Sequence, residues 1–98
     1  MTDRQEVITS FKDGLDEMDQ KIDHLEKKIH QGKQDVQRKV QDEISAMKSK
    51  RQEIKEKIAQ MKTSSEKAFT ELKGGVGDAL HALGLSYESA KNKIQQSV

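Results

Sequence analysis

Apolar residues recur every three or four positions along a strongly charged stretch between Leu15 and Met61. A narrow apolar stripe with polar residues on all other sides is typical of the seam of a coiled coil. The sequence therefore predicts long amphipathic helices that associate along this stripe. The predicted helix-association seam consists of Leu15, Met18, Ile22, Leu25, Ile29, Val36, Val40, Ile44, Met47, Ile54, Ile58 and Met61.

The neighbourhood of Gly32 leaves two arrangements open. A glycine in a left-handed conformation often follows the end of a helix, and Asp35 is placed to cap a second helix. Alternatively, Ile29 and Val36 are one heptad apart, and a continuous helix would keep the seam in phase. Residues 1–26 hold eight acidic and three basic residues, whereas residues 27–62 hold five and eleven. Opposite charge blocks favour side-by-side pairing, within one chain or between two antiparallel chains, and therefore favour a turn.

Capping patterns predict a helix start at Thr2 and a second turn at residues 63–65, where Thr63 and Glu66 have the spacing of a capping box. Arg51 interrupts the seam at a position that is usually apolar. We expect its aliphatic stem to lie along the seam and its guanidinium group to remain in water.

The last third keeps helical spacing but contains Gly74, Gly75, Gly77 and Gly84. Because glycine is a poor helix former, we predict a hinge at 74–77 between a helix near 66–73 and shorter helices near 78–83 and 87–96. When this segment opens, it would present an apolar surface. The residues predicted to form that surface are Phe69, Leu72, Leu80 and Leu83.

These features predict one all-α domain over residues 1–98, in which an antiparallel helical hairpin or coiled coil is followed by a glycine-broken helical third. Breaks at 32 and at 63–65 would also suit an elongated three-helix bundle. Helices of a bundle usually carry about three apolar residues in seven. The middle segment carries fewer, which favours the hairpin.

Candidate chemistry is sparse. The chain has no cysteine and three histidines, His24, His30 and His81, none of them four residues from another. We therefore predict no catalytic residues, no metal site and no cofactor, and we expect a non-enzymatic protein. The glycine-rich run at 74–77 lacks the lysine and the preceding strand of a nucleotide-binding loop. The basic stretch at 48–62 contains no aromatic residue, so nucleic-acid binding is not expected.

One set of residues within 44–83 recurs in a known group of proteins. The set is Lys50-Arg51, Ile54, Ile58, Met61-Lys62, Ser64-Ser65, Ala68-Phe69, Leu72-Lys73, Gly75 and Ala79-Leu80. In these residues the chain resembles a group of small, uncharacterised bacterial coiled-coil proteins, some of them linked to stress responses. The chain departs from their usual pattern because Ala68-Phe69 stands where they carry Ala-Trp, and because it holds more glycine and less terminal alanine. The resemblance implies a helical, stress-associated or scaffold protein without catalytic residues.

Taken together, the residues predict a cytoplasmic protein that acts through helix–helix association, as a homo-oligomer, because a seam this narrow would leave a single chain marginally stable. The alternative is a chaperone-like or membrane-surface protein that binds a protein client or lipid through its last third.

Overall fold

The computed structural model describes residues 3–97 and shows three long helices. Helix α1 spans Arg4–Lys28, α2 spans Gln34–Met61 and α3 spans Glu66–Ser97, with one short 3₁₀ turn at Ile29–Gln31. Thr2, the predicted cap of the first helix, lies outside the described residues, and Asp3 occupies the N-cap position instead. Each helix packs against the other two, so the all-α prediction is confirmed and the arrangement is the elongated three-helix bundle.

The helices run up, down and up, and their directions follow from contacts between them. Arg4, at the start of α1, reaches the end of α2 and donates a hydrogen bond to the carbonyl of Met61. The same guanidinium group lies 4.6 Å from the ring centre of Phe69, near the start of α3. Helices α1 and α3 are therefore parallel, and α2 is antiparallel to both. The Cα atoms occupy 48 × 17 × 15 Å.

The chain reverses at Gly32, as the charge inversion suggested, but the geometry of the turn differs from the prediction. Gly32 has a φ of −86°, so it is not in the left-handed region, and Lys33 rather than Asp35 precedes the second helix. The side-chain amide of Gln37 donates a hydrogen bond to the carbonyl of Gly32 over 2.7 Å. This bond satisfies a carbonyl that the turn would otherwise leave without a partner.

The second turn lies where it was predicted, at residues 63–65, but its capping residue is Ser65 instead of Thr63. The Oγ atom of Ser65 accepts a hydrogen bond from the backbone N–H of Ala68. Arg4 bonds the carbonyl of Ser64 over 2.7 Å, which ties the turn to the first helix. Ser65 caps the helix in place of Thr63 because it directly precedes the first helical residue, Glu66. From that position its hydroxyl can accept a hydrogen bond from a free N–H group of the first turn.

One core runs the length of the bundle. The predicted seam supplies most of the core residues that α1 and α2 contribute. All seam residues are buried in this core except Val36, which is half-buried and packs against it. Helix α3 completes the core with Val76, Ala79, Leu83, Tyr87, Ala90 and Ile94. Two of these are alanines, and α3 packs more extensively against α2 than against α1. Small side chains let helices lie close together, so the sparse apolar residues of α2 have less volume to fill. The objection to a bundle, that α2 has too few apolar residues, is overcome in this way.

Helix α3 is continuous through the glycines, and here the prediction of a break and of shorter helices was wrong. No described glycine has a positive φ. Val76 lies among the glycines and is fully buried, while Ala79 and Leu83 follow on the same face of the helix. The burial of this face outweighs the low helix propensity of the glycines, because tertiary packing usually supplies most of the stability of a helix.

Replacing Gly74 by alanine is expected to stabilise the fold by about 1 kcal/mol, which is the difference in helix propensity between the two residues. Gly74 is exposed, and a Cβ atom there would meet nothing within 4 Å. Urea unfolding followed by circular dichroism would measure the change. The matched control, Ala82→Gly on the same exposed face, should lower stability by a similar amount. A loss of stability on Gly74→Ala would show that the helix requires glycine there.

Candidate functional site

Two grooves and one exposed apolar side chain are the surface features that stand out from the bundle. The larger groove, of about 760 Å³, lies between α1 and α2. Its α1 side carries Asp16, Asp19 and Asp23, and its α2 side carries Arg51, Lys55 and Lys62. The opposite charge blocks of the sequence thus meet here within a single chain.

Two ion pairs join the α1 and α2 sides of the bundle. The ammonium group of Lys48 lies 2.6 Å from a carboxylate oxygen of Glu26, and the Nε atom of Arg51 lies 3.3 Å from Oδ1 of Asp19. The second pair lacks hydrogen-bond geometry, since Oδ1 of Asp19 has no hydrogen-bond partner. Both pairs are partly exposed, so each contributes at most about 1 kcal/mol. Arg51 is half-buried, and its guanidinium group is paired with Asp19, so it is not simply hydrated as the sequence predicted.

Like charges also meet at one end of this groove. Lys62 lowers the pKa of Lys12 below its ordinary value, through a hydrogen bond that only the neutral amine can accept and through charge repulsion. A slight loss of hydration beside Lys62 also lowers the pKa of Lys12, and the carboxylate of Asp16 raises it in part. Because the folded state binds the proton of Lys12 less tightly than the unfolded chain, this repulsion costs stability at neutral pH. Stability should recover as the pH rises through the lowered pKa towards the unfolded one.

The variant Lys62→Gln is therefore expected to raise the urea midpoint at neutral pH. The gain should be small, because Lys12 is fully exposed, and it should shrink at high salt, which screens exposed charges. Unfolding curves at low and high salt measure both effects. Lys39→Gln, which removes an exposed lysine of α2 that does not line the groove, should give no such gain. An equal gain from both variants would attribute the effect to net charge alone.

The second groove, of about 500 Å³, lies between α2 and α3 and has mostly apolar or small side chains along it. Ala46 of α2 and Ala82, Ser86 and Ser89 of α3 line it. Leu85 stands at its edge with 60% of its surface exposed, and among the described residues it is the one large apolar side chain that is exposed.

The exposed face of α3 around Leu85 carries little charge. Between Gly74 and Tyr87, Asp78 is the one charged residue. On this face Gly74, Asp78, His81, Ala82, Leu85 and Ser89 are all exposed. We call these six residues the α3 outer face. Helices α1 and α2 carry charged residues along their whole exposed length, so the α3 outer face is the part of the surface best suited to contact another apolar surface.

The sequence-predicted surface is in a different place. Leu83 is buried, and Phe69, Leu72 and Leu80 pack against the core. In the folded bundle these four residues are not exposed, because they lie on the face of α3 that covers the seam. Their exposure on opening of this segment stays a prediction. Sequence reasoning did not single out Leu85. The spacing of Leu85 could have identified it. Two residues after the buried Leu83, it falls on the opposite side of the helix from the buried stripe.

No arrangement suited to metal binding is present in the described part of the chain, where no three His, Cys, Asp or Glu side chains are grouped to hold an ion. The three histidines are exposed. None of the described helices is long and apolar enough to cross a membrane. The site residues that remain are therefore those of the two grooves and the α3 outer face.

Comparisons with known proteins find no matching family model, no matching curated protein and no matching solved structure. The resemblance to bacterial coiled-coil proteins accordingly stays a prediction, and the function is inferred from the surface of the bundle.

Proposed function

We propose that this protein is a non-enzymatic association module that binds another helical surface through the α3 outer face, and that it acts as a scaffold in the cytoplasm. The observation that carries the proposal is the exposure of Leu85 in the middle of a weakly charged helix face. An exposed leucine alone is ordinary. Here it lies beside a groove of small residues, which is the combination that lets a second helix approach closely.

The burial of the seam changes which residues would carry the association. In the sequence-based prediction the seam itself bound the partner. In the bundle, the seam residues are covered by α3, and they hold the three helices of one chain together. Association by this folded chain would therefore use its outer surface. A link to stress responses depends on the sequence resemblance and predicts that the amount of the protein rises under stress.

The alternative, binding of lipid or a protein client by an opened last third, has less support. It requires Phe69, Leu72 and Leu83 to leave the core, and the continuous helix α3 holds them there.

The proposal is tested by photo-crosslinking in the cells that make the protein. A photoreactive residue is placed at position 85, and the control carries it at position 52, where Gln52 lines the charged groove between α1 and α2. We expect protein adducts at position 85 and at least tenfold less at position 52. Adducts at both positions in equal yield, or at neither, would contradict the proposal.

A further inference from the structure

We infer that the partner of the α3 outer face is a second copy of this chain, with the two α3 helices antiparallel and His81 of each copy close to the two-fold axis. This inference depends on the proposed function and names the partner for it. It is based on the shape of the face, its register and its charges.

The shape of the face provides both a knob and a hole. Leu85 is the knob. Gly74, Gly77, Asp78 and His81 have the spacing of four residues that surround one hole on a helix surface. Two of the four lack a side chain, and a Cβ atom at Gly74 or Gly77 would meet nothing within 4 Å. Packing within the chain therefore gives no reason for glycine at these positions, whereas a leucine from another helix would fill the space.

The register follows from placing the knob in the hole. When Leu85 lies over Gly77 of the second copy, an antiparallel pair has its two-fold axis at position 81. His81 is in the middle of α3, whose bounds are Glu66–Ser97. The two helices then overlap along their full length, and each Leu85 fills the hole of the other copy. The same contact is made twice, as two-fold symmetry requires.

The charges at the edges of the face match this register. It places Lys73 within one helical turn of Glu88 of the second copy, and Glu71 within one turn of Lys93 of the second copy. Lys73, Glu71, Glu88 and Lys93 are all exposed. Lys93 also bonds Glu43 of its own chain, which holds its ammonium group at the α2 side of the face. These matched pairs of opposite charge favour the antiparallel pair.

The size of the interface sets the expected strength. Among the described residues the face offers one large exposed apolar side chain, Leu85, so the interface buries less apolar area than the ~800 Å² per partner of a typical stable complex would provide. We therefore expect a dimer that dissociates at micromolar concentration or above. Sedimentation equilibrium of the purified full-length protein from about 10 µM to about 1 mM would detect it.

Reversal of charge tests the register. Lys73→Glu should weaken dimerisation at least tenfold, because it places two acidic side chains together at two symmetric positions. The double variant Lys73→Glu/Glu88→Lys should restore the dissociation constant to within about threefold of the wild type. Lys39→Glu, on the exposed side of α2, is the matched control and should have no effect. Failure of the double variant to restore association would overturn the proposed register.

Disulfide formation tests whether the two α3 helices are antiparallel. The chain has no natural cysteine, so a single Cys variant can form a disulfide only with its copy. His81→Cys should form a covalent dimer at least tenfold faster than Asn92→Cys, because only position 81 meets itself across the axis. Equal rates would indicate a parallel pair and overturn the inference. A wild-type protein that stays monomeric at about 1 mM would also overturn it. Adducts at position 85 with a different protein in cells would still support the proposed function.

Discussion

Replacing Ile54 by asparagine is expected to lower the free energy of unfolding by about 4 kcal/mol or more, enough to unfold much of a small domain. Ile54 is a seam residue and is fully buried in the core. The substitution removes apolar volume and also buries an amide group that has no polar neighbour prepared for it, since no polar side chain is buried among the described residues. Urea unfolding followed by far-ultraviolet circular dichroism would measure the loss.

The matched control is Leu85→Asn, which makes a comparable apolar-to-amide change on the α3 outer face. Because Leu85 is mostly exposed, the control should change the free energy of unfolding of the monomer by no more than about 0.5 kcal/mol.

The urea midpoint of dilute wild-type protein should not depend on its concentration, since the seam is filled within one chain. Similar losses from both variants, or a midpoint that rises steeply with concentration in dilute solution, would place the seam between chains.

Replacing Val76 by aspartate is expected to cost more than about 3 kcal/mol, because it buries an unpaired carboxylate. Val76 is fully buried although it is flanked by Gly75 and Gly77. Gly74→Asp introduces the same group two residues away on the exposed side of the helix and is the control. We expect it to be tolerated within about 1 kcal/mol, as measured by thermal unfolding.

The comparison of these two aspartate variants decides between a helix and a hinge. If residues 74–77 formed a loose hinge, both carboxylates would reach water and both variants would be mild. A large loss at position 76 together with a small one at position 74 is the outcome that a continuous, packed α3 requires.

Much of the fold could be predicted because the apolar period is regular and charge is unevenly distributed. The spacing of Ile22, Leu25 and Ile29 identifies a helix face whatever covers it, and the charge inversion near Gly32 favours a turn because unlike blocks attract. The local sequence does not show which helix packs against this face. The seam residues have the same pattern whether a second chain or α3 lies against them, and only the full set of contacts shows that α3 does.

The errors concerned features where a local preference competes with tertiary packing. The glycines of α3 predicted a break in the helix. The burial of Val76, Ala79 and Leu83 on one face keeps the helix intact. The α3 outer face could not be recognised in advance for a related reason. Leu85 becomes notable only when its neighbours in space are known, because in the sequence it is one apolar residue among several in the same segment.

The claim that one chain fills its own seam is tested most directly by small-angle X-ray scattering with molar mass over a concentration series. At low concentration we predict the 11.1 kDa monomer with a longest Cα dimension near 48 Å. At high concentration we predict a dimer that is wider but little longer, because the two α3 helices overlap fully. A rod of about 90 Å or more with the mass of a dimer at every concentration would mean that α1 and α2 form one continuous helix, and it would contradict the bundle.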